Sequence, residues 1–360
     1  MANIRLGVFI GRFQPPTKAH EAILRQVHAE NDHAVIFVGS NNRARSIRNP
    51  FTAEERRAMI MDVLPKTGAS STVSGISDFT YNINDWVKNI QTKIDAVTAE
   101  IPGTNNNIKI ALYGFFKDNS SYYLNHFPQW ELRTLDEQEN GLSSTDVRKI
   151  LYEIPYMSKD NVQKSVTELA KILNPKILEK VISFAEEDRF KLIAGENRFI
   201  IDYKSKWLSA PFPPTFNSVN AIVIQNEKIL LIKRGKAPGR DLYAIPGGFL
   251  NQNDFIRNAA IKKLKEETGI EASNEILNKA YIKIKAYDDP YRDHRGRLIA
   301  HVHLFDFDAS LDLNQPELNF TSANTAGEVL WMPLADFYNK ACEFYSDHWM
   351  IIYNILSERK

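Results

Sequence analysis

Four short apolar runs punctuate the first third of the chain, at residues 4–10 (IRLGVFI), 33–39 (HAVIFVG), 71–76 and 108–114 (IKIALYG). Their branched and aromatic content suits buried strands. The intervals between them carry amphipathic stretches of helical spacing at 18–30, 52–63 (TAEERRAMIMDV) and 83–98. A strand that returns to its sheet through a helix runs parallel to its predecessor, so this rhythm predicts an α/β domain with a parallel sheet covered by helices. It also predicts where a ligand would sit, at the carboxyl ends of the strands.

The rhythm does not continue. Residues 145–188 read as helical throughout, a looser stretch follows, and "SAPFPPTF" (209–216) can continue neither a helix nor a central strand. Beyond it, 219–234 reads as a hairpin that turns near Gln225-Asn226-Glu227. A helix at 255–267, strands at 280–286 and 299–307, and a terminal helix from about Leu334 complete a mixed α+β module. A chain of 360 residues exceeds the usual single core. We therefore divide it into a first domain at 1–188, a linker at 189–216 and a second domain at 217–360, with no internal repeat between the halves.

Charge and cysteine usage remove several function classes. The 45 basic and 44 acidic side chains leave a net charge of +1, which gives no general attraction to nucleic acid or membrane, so any anion site must be local. The single cysteine, Cys342, excludes an internal disulfide and a cysteine-rich metal site. The amino terminus lacks the layout of a signal peptide, and no apolar run is long enough to span a bilayer. A soluble, cytoplasmic protein is expected.

A local anion site is legible where the first strand ends. "GRFQPPTKAH" (11–20) gathers Arg12, Lys18 and His20 in a connector that would otherwise need only its glycine and prolines. Thr17 and His20 are three residues apart and share one face of a helix start, where free amides and the helix dipole favour an anion. Gly11 would let the backbone come close to a ligand. A second cluster, "GLSSTDVRKI" (141–150), offers Ser144 or Thr145 as a helix cap with Arg148 one turn on. Together they predict a phosphate site for nucleotidyl transfer.

Those two stretches resemble the (H/T)xxH and SSTxxR signatures of the nucleotidylyltransferases. "SIRNPFTAEERRAMI" (46–60) and "SDFTYNINDWV" (77–87) are similar to the archaeal-type nicotinamide mononucleotide (NMN) adenylyltransferases, and "KDNSSYYLNHFPQW" (117–130) to the bacterial branch that carries a Nudix domain. The resemblance implies a Rossmann-like first domain that makes NAD and pyrophosphate from ATP and NMN. It implies that Arg12, Lys18 and Arg148 hold the triphosphate, Arg48 holds the mononucleotide phosphate and His20 donates to an α-phosphate oxygen. Gly11, Phe13, Thr17, Ser144 and Thr145 would line the substrate site, and Trp86 would stack on the pyridine ring. Mg²⁺ would arrive with ATP. Thr17 stands where many relatives have histidine, and Gly114 is followed by Phe115-Phe116 where relatives often have Gly-His.

In the second domain, "GFLNQNDFIRNAAIKKLKEETGI" (248–270) fits the Nudix box GX5EX7REUXEEXGU, in which U is aliphatic. Gly248, Leu264, Glu266, Glu267, Gly269 and Ile270 match; Asp254 replaces glutamate, Lys262 replaces arginine, and Lys263 replaces a glutamate that in the family helps bind metal. Such a box presents carboxylates to divalent cations that polarise a diphosphate, which here implies Mg²⁺ or Mn²⁺ on Glu266, Glu267 and Asp254. "YDDPYRDHRGRLI" (287–299) resembles the substrate loop of ADP-ribose pyrophosphatases, with Arg292, Arg295 and Arg297 as candidate pyrophosphate or ribose contacts. Asn324 and Thr325 stand where relatives commonly carry two aspartates. The implied second activity is hydrolysis of ADP-ribose to AMP and ribose 5-phosphate. Lys263 keeps a competing reading open, a unit that binds ADP-ribose or NAD without cleaving it. The choice between nicotinamide and nicotinic acid mononucleotide stays open, as does assembly into a homo-oligomer, which is common among relatives of the first domain.

Overall fold

The computed structural model describes residues 4–101, 108–114, 124–134, 143–310, 318–320 and 327–359. Packing divides the chain into two units, Met1–Gly195 and Glu196–Lys360.

The first unit is built on β1 (Ile4–Gly11), α1 (Lys18–Glu30), β2 (His33–Val38), α2 (Ala53–Val63), β3 (Ser70–Gly75), α3 (Ile83–Glu100), β4 (Ile108–Gly114) and β5 (Glu131–Thr134). All strand pairs are parallel and the order is β3-β2-β1-β4-β5, the sheet that the alternating rhythm demands. Strand geometry sends alternate side chains to opposite faces. Accordingly Ala34, Ile36 and Val38 of β2 enter one core with Leu24, Val27 and Ile60, while Val35 and Phe37 enter another with Ile90 and Ile94 of α3. The short edge strand β5 has no apolar run to announce it.

The helical stretch after it is three helices, α4 (Ser144–Glu153), α5 (Lys159–Ile172) and α6 (Pro175–Glu186). Pro155 sits in a 3-10 turn that ends α4, and Pro175 opens α6 behind the Asn174 cap, the two places where a proline is tolerated. The stretch read as loose holds a helix, α7 (Asp188–Ser205), because Phe190, Ile193 and Ala194 recur at helical spacing and are buried.

The second unit contains β6 (Thr215–Gln225), β7 (Lys228–Arg234), β8 (Tyr243–Ala244), β9 (Gly247–Phe249), α8 (Ile256–Thr268), α9 (Asn274–Ala280), β10 (Tyr281–Tyr287), β11 (Arg297–Asp306), the one-turn α10 (Phe307–Ser310), β12 (Gly327–Pro333), the one-turn α11 (Leu334–Phe337) and α12 (His348–Ser357). Its sheet runs β10-β11-β6-β7-β12, with β6 and β11 parallel and the other pairs antiparallel. The expected hairpin turns at Asn226-Glu227, both at φ +53°, and their two amides donate to the Asp308 carboxylate at 2.6 and 3.0 Å. Its strands pair only at Ile224–Ile229 and Gln225–Lys228; farther along, β9 takes over β6 and β8 takes over β7. The terminal helix expected from Leu334 stops after one turn. The long apolar helix is α12, whose Trp349, Met350, Ile351, Ile352 and Ile355 are buried, after an irregular stretch that includes Ser346 at φ +51°. Among the described residues no helix is long and apolar enough to cross a membrane.

Two buried histidines make the second unit acid-sensitive. His348 Nδ1 accepts the Ile245 amide at 2.9 Å, and burial pushes its pKa down to about 3. Burial likewise holds His303, 1% exposed, at about 4. Both folded values lie below the unfolded value near 6.5, so the unfolded chain takes up protons first as pH falls, and stability is lost below that point. Between pH 6.5 and pH 5 each histidine is expected to remove about 1.5 kcal/mol. Urea unfolding at the two pH values should show His348→Asn with a correspondingly smaller loss.

Candidate functional sites

In the first unit the loop from Arg12 to Thr17 is fixed from three directions. Gln14 pairs with the Phe51 backbone in both senses, donating from Nε2 to the carbonyl at 2.9 Å and accepting the amide at 3.0 Å. From α4, Ser144 Oγ donates to the Pro15 carbonyl at 2.8 Å and Arg148 Nη1 to the Gln14 carbonyl at 2.7 Å. From α2, Arg56, 1% exposed, donates to the carbonyls of Arg12 and Gly39 at 2.6 Å each, Ser40 at 3.3 Å and Thr52 at 3.0 Å. Burial lowers its pKa to about 10, which leaves the guanidinium charged at neutral pH. The carboxyl ends of β1 and β2 are thereby held on one cation.

The two sequence clusters converge on this loop. Thr17 precedes α1, and its amide donates to His20 Nδ1 at 3.2 Å while its hydroxyl lies 2.8 Å from the same nitrogen. A backbone N–H can only donate, so Nδ1 is the acceptor and a neutral ring carries its proton on Nε2, the form that offers a hydrogen bond to a phosphate oxygen. The Phe13 ring packs edge-on to the imidazole at 5.2 Å. Arg148 is half-buried, with its pKa lowered by burial and also by the neighbouring Arg48. Tyr152 of α4 donates to the Ile47 carbonyl at 2.6 Å and so fixes the segment that bears Arg48.

The structure corrects one expectation, the cap of α4, and places two other residues. Lys18 is turned to α5, where its ammonium donates to the last-turn carbonyls of Ala170 at 2.8 Å and Lys171 at 3.2 Å, a helix carboxyl end being a natural seat for a cation. Gly11 makes room for a side chain of its own loop: a Cβ there would stand 2.7 Å from the Phe13 ring. The cap of α4 is Ser143, which exchanges bonds with Asp146, whereas Ser144 bonds to Pro15 and Thr145 accepts from Arg148 Nη2 at 3.0 Å. Trp86 lies on α3, partly buried and 5.9 Å from the Phe127 ring. Phe115 and Phe116 lie outside the described residues.

In the second unit Arg234, Arg292 and Arg295 line one cavity with Gly247, Gly248 and Tyr345. Arg292 is buried and grips Asp347 through Nε and Nη2 at 2.8 and 3.0 Å; Arg295 grips Asp293 at 3.0 and 2.7 Å and lies 4.9 Å over the Phe249 ring. Arg297 bonds to Asp288 away from the cavity lining. Arg234 stacks 4.2 Å over Tyr345. On α8, which ends at Gly269 in the left-handed conformation, Lys263 Nζ donates to Glu266 Oε2 at 2.8 Å. Burial raises the pKa of Glu267, with Arg234 and Lys263 opposing it.

The whole-chain comparison decides what these two sites belong to. A crystal structure from Francisella tularensis, described as a bifunctional NMN adenylyltransferase/ADP ribose pyrophosphatase complexed with AMP and Mn ion, matches at 32% identity and TM-score 0.83 over 99% of each chain. The chain belongs to the bifunctional NMN adenylyltransferase/ADP-ribose pyrophosphatase family. Family models agree, a cytidylyltransferase-like one over residues 8–150 and a NUDIX domain over 214–351. A nicotinamide/nicotinic acid mononucleotide adenylyltransferase of Acinetobacter baylyi is 35% identical over 41% of this chain and 74% of its own length. An ADP-ribose pyrophosphatase of Methanocaldococcus jannaschii is 35% identical over 25% of this chain and about half, 49%, of its own.

Enzymes of the Nudix kind use divalent metal, and the described residues here do not fit one as they stand. A hard divalent ion needs several oxygen ligands. Among the described residues no three His, Cys, Asp or Glu side chains gather to hold an ion, Asp254 is bonded to Asn251 at 2.8 Å, and Glu266 is engaged by Lys263. Asn324 and Thr325 lie outside the described residues. Sequence reasoning missed Arg56, Gln14, Arg234 and Asp347. Of these only Arg56 left a trace, a cation where the helical spacing of "TAEERRAMI" calls for a buried residue.

Arg56→Met keeps most of the stem but abandons four carbonyls. It should lower stability by about 3 kcal/mol in chemical denaturation, and Arg56→Lys should recover only part of that.

Proposed function

We propose that the first unit transfers the adenylyl group of MgATP to nicotinamide mononucleotide, and that the second takes ADP-ribose. The observation that carries the first reading is the convergence of His20, Arg12 and Arg148 on one loop, with Arg48 within electrostatic range of Arg148. A phosphate between two neighbouring guanidiniums gains charge-assisted bonds from both. An oxygen of the mononucleotide phosphate attacks the α-phosphorus in line. The bond to the bridging oxygen breaks, and pyrophosphate leaves with the electron pair. No covalent intermediate on the protein is needed, so catalysis is positioning and charge neutralisation. Arg148 and Arg12 hold the triphosphate, Arg48 the mononucleotide phosphate, and His20 Nε2–H donates to the α-phosphate oxygen where charge builds. Trp86 is the candidate for stacking on the pyridine ring.

His20→Ala should reduce NAD formation by about 10² to 10⁴-fold while ATP binding changes little. The assay follows NAD from ATP with nicotinamide or nicotinic acid mononucleotide offered separately; unchanged turnover would remove His20 from the mechanism.

For the second unit, whose sequence-defined domain is residues 217–360, the proposed reaction is hydrolysis of ADP-ribose to AMP and ribose 5-phosphate, slowed by Lys263. The Lys263–Glu266 ion pair also favours a second reading, retention of ADP-ribose without cleavage. AMP release from ADP-ribose with Mg²⁺ or Mn²⁺ separates the two. Faster release by Lys263→Glu would identify the lysine as the cause.

A further inference from the structure

We propose that Lys263 is the resident cation of the second unit's site, so that this unit binds a nucleoside-diphosphate ligand without divalent metal. The inference rests on the reading that the site takes ADP-ribose, and it concerns how the diphosphate is held.

Three observations place Lys263 there. Its stem crosses the glycine strand at the rim of the cavity: a Cβ on Gly248 would lie 3.2 Å from Lys263 Cδ and 3.5 Å from Cε, and Gly248 itself lines the cavity. Its ammonium bonds to Glu266 at 2.8 Å. Across the same rim Arg234 lies over Tyr345. One carboxylate of the box is therefore already paired with a cation that belongs to the protein. The charge of that carboxylate is compensated, and an entering ion would meet the ammonium at close range.

The same arrangement can receive a diphosphate. The Lys263 side chain is 25% exposed and that of Glu266 is 44% exposed, so their pair is weakly held and the ammonium can exchange a carboxylate oxygen for a phosphate oxygen. Ammonium-to-phosphate bonds are charge-assisted and need no intervening metal. Arg292 and Arg295 are fixed on Asp347 and Asp293, and Arg234 is held by the Pro238 carbonyl at 2.8 Å and the Tyr345 ring, so Lys263 is the cation at this rim left to adapt.

The test is calorimetric titration of the full chain with ADP-ribose, in EDTA and in Mg²⁺, together with Mn²⁺ alone followed by electron paramagnetic resonance. The wild type is expected to bind ADP-ribose equally well in both buffers. Lys263→Met should weaken binding in EDTA by about tenfold or more. Lys263→Glu should bind ADP-ribose only with metal and should retain one more Mn²⁺ per chain than the wild type. Wild-type binding that requires Mg²⁺ overturns the proposal and leaves the ADP-ribose reading standing, as does Lys263→Met binding like the wild type in EDTA. No ADP-ribose bound in either buffer overturns both. Circular dichroism of each variant identifies a misfolded one, and the comparison of wild type in the two buffers needs no variant at all.

Discussion

A single buried guanidinium organises the first unit. Arg56 reaches back from α2 to carbonyls at the ends of both β1 and β2. Strand ends in a parallel sheet leave backbone acceptors that need partners, and here they converge on one donor with a fixed fork geometry. The loop that carries Phe13, Gln14 and Thr17 inherits its position from that anchorage. His20 and Arg148 in turn inherit theirs from the loop. The order of dependence runs from a structural cation to the candidate catalytic groups.

The two sites treat charge in opposite ways. In the first unit Arg148 is anchored by a carbonyl and a hydroxyl, which orient it without cancelling its charge, and Arg48 lies within electrostatic range. In the second, Arg292, Arg295 and Lys263 each face a carboxylate. Buried pairs such as Arg292 with Asp347 are demanding in geometry and shape the cavity more than they attract a ligand.

Periodicity made the first unit's sheet legible: the runs at 4–10 and 33–39 are buried continuously through their centres, as strands covered on both faces must be, and the helix between them falls where the spacing put it. The candidate site after the first strand was legible because glycine, prolines and cations crowd ten residues. The seat of Lys18 was not legible for a plain reason. A long flexible cation goes where tertiary contact sends it, and its partners at 170 and 171 lie far along the chain. The box on α8 was legible from spacing alone, including the reversed charge at Lys263. The pairing of Arg292 with Asp347 was not, because the aspartate sits in an irregular stretch that precedes the final helix. The final helix itself was misplaced for the same cause: Leu334 looks like a beginning, but the apolar residues that need burial come later.

The anchorage of Lys18 has a mechanical corollary. The ammonium ties the first residue of α1 to the last turn of α5, and the imidazole of His20 stands two residues farther along α1. The helix that bears His20 is thus seated, at its first residue, on a neighbour more than a hundred positions away as well as on the sheet.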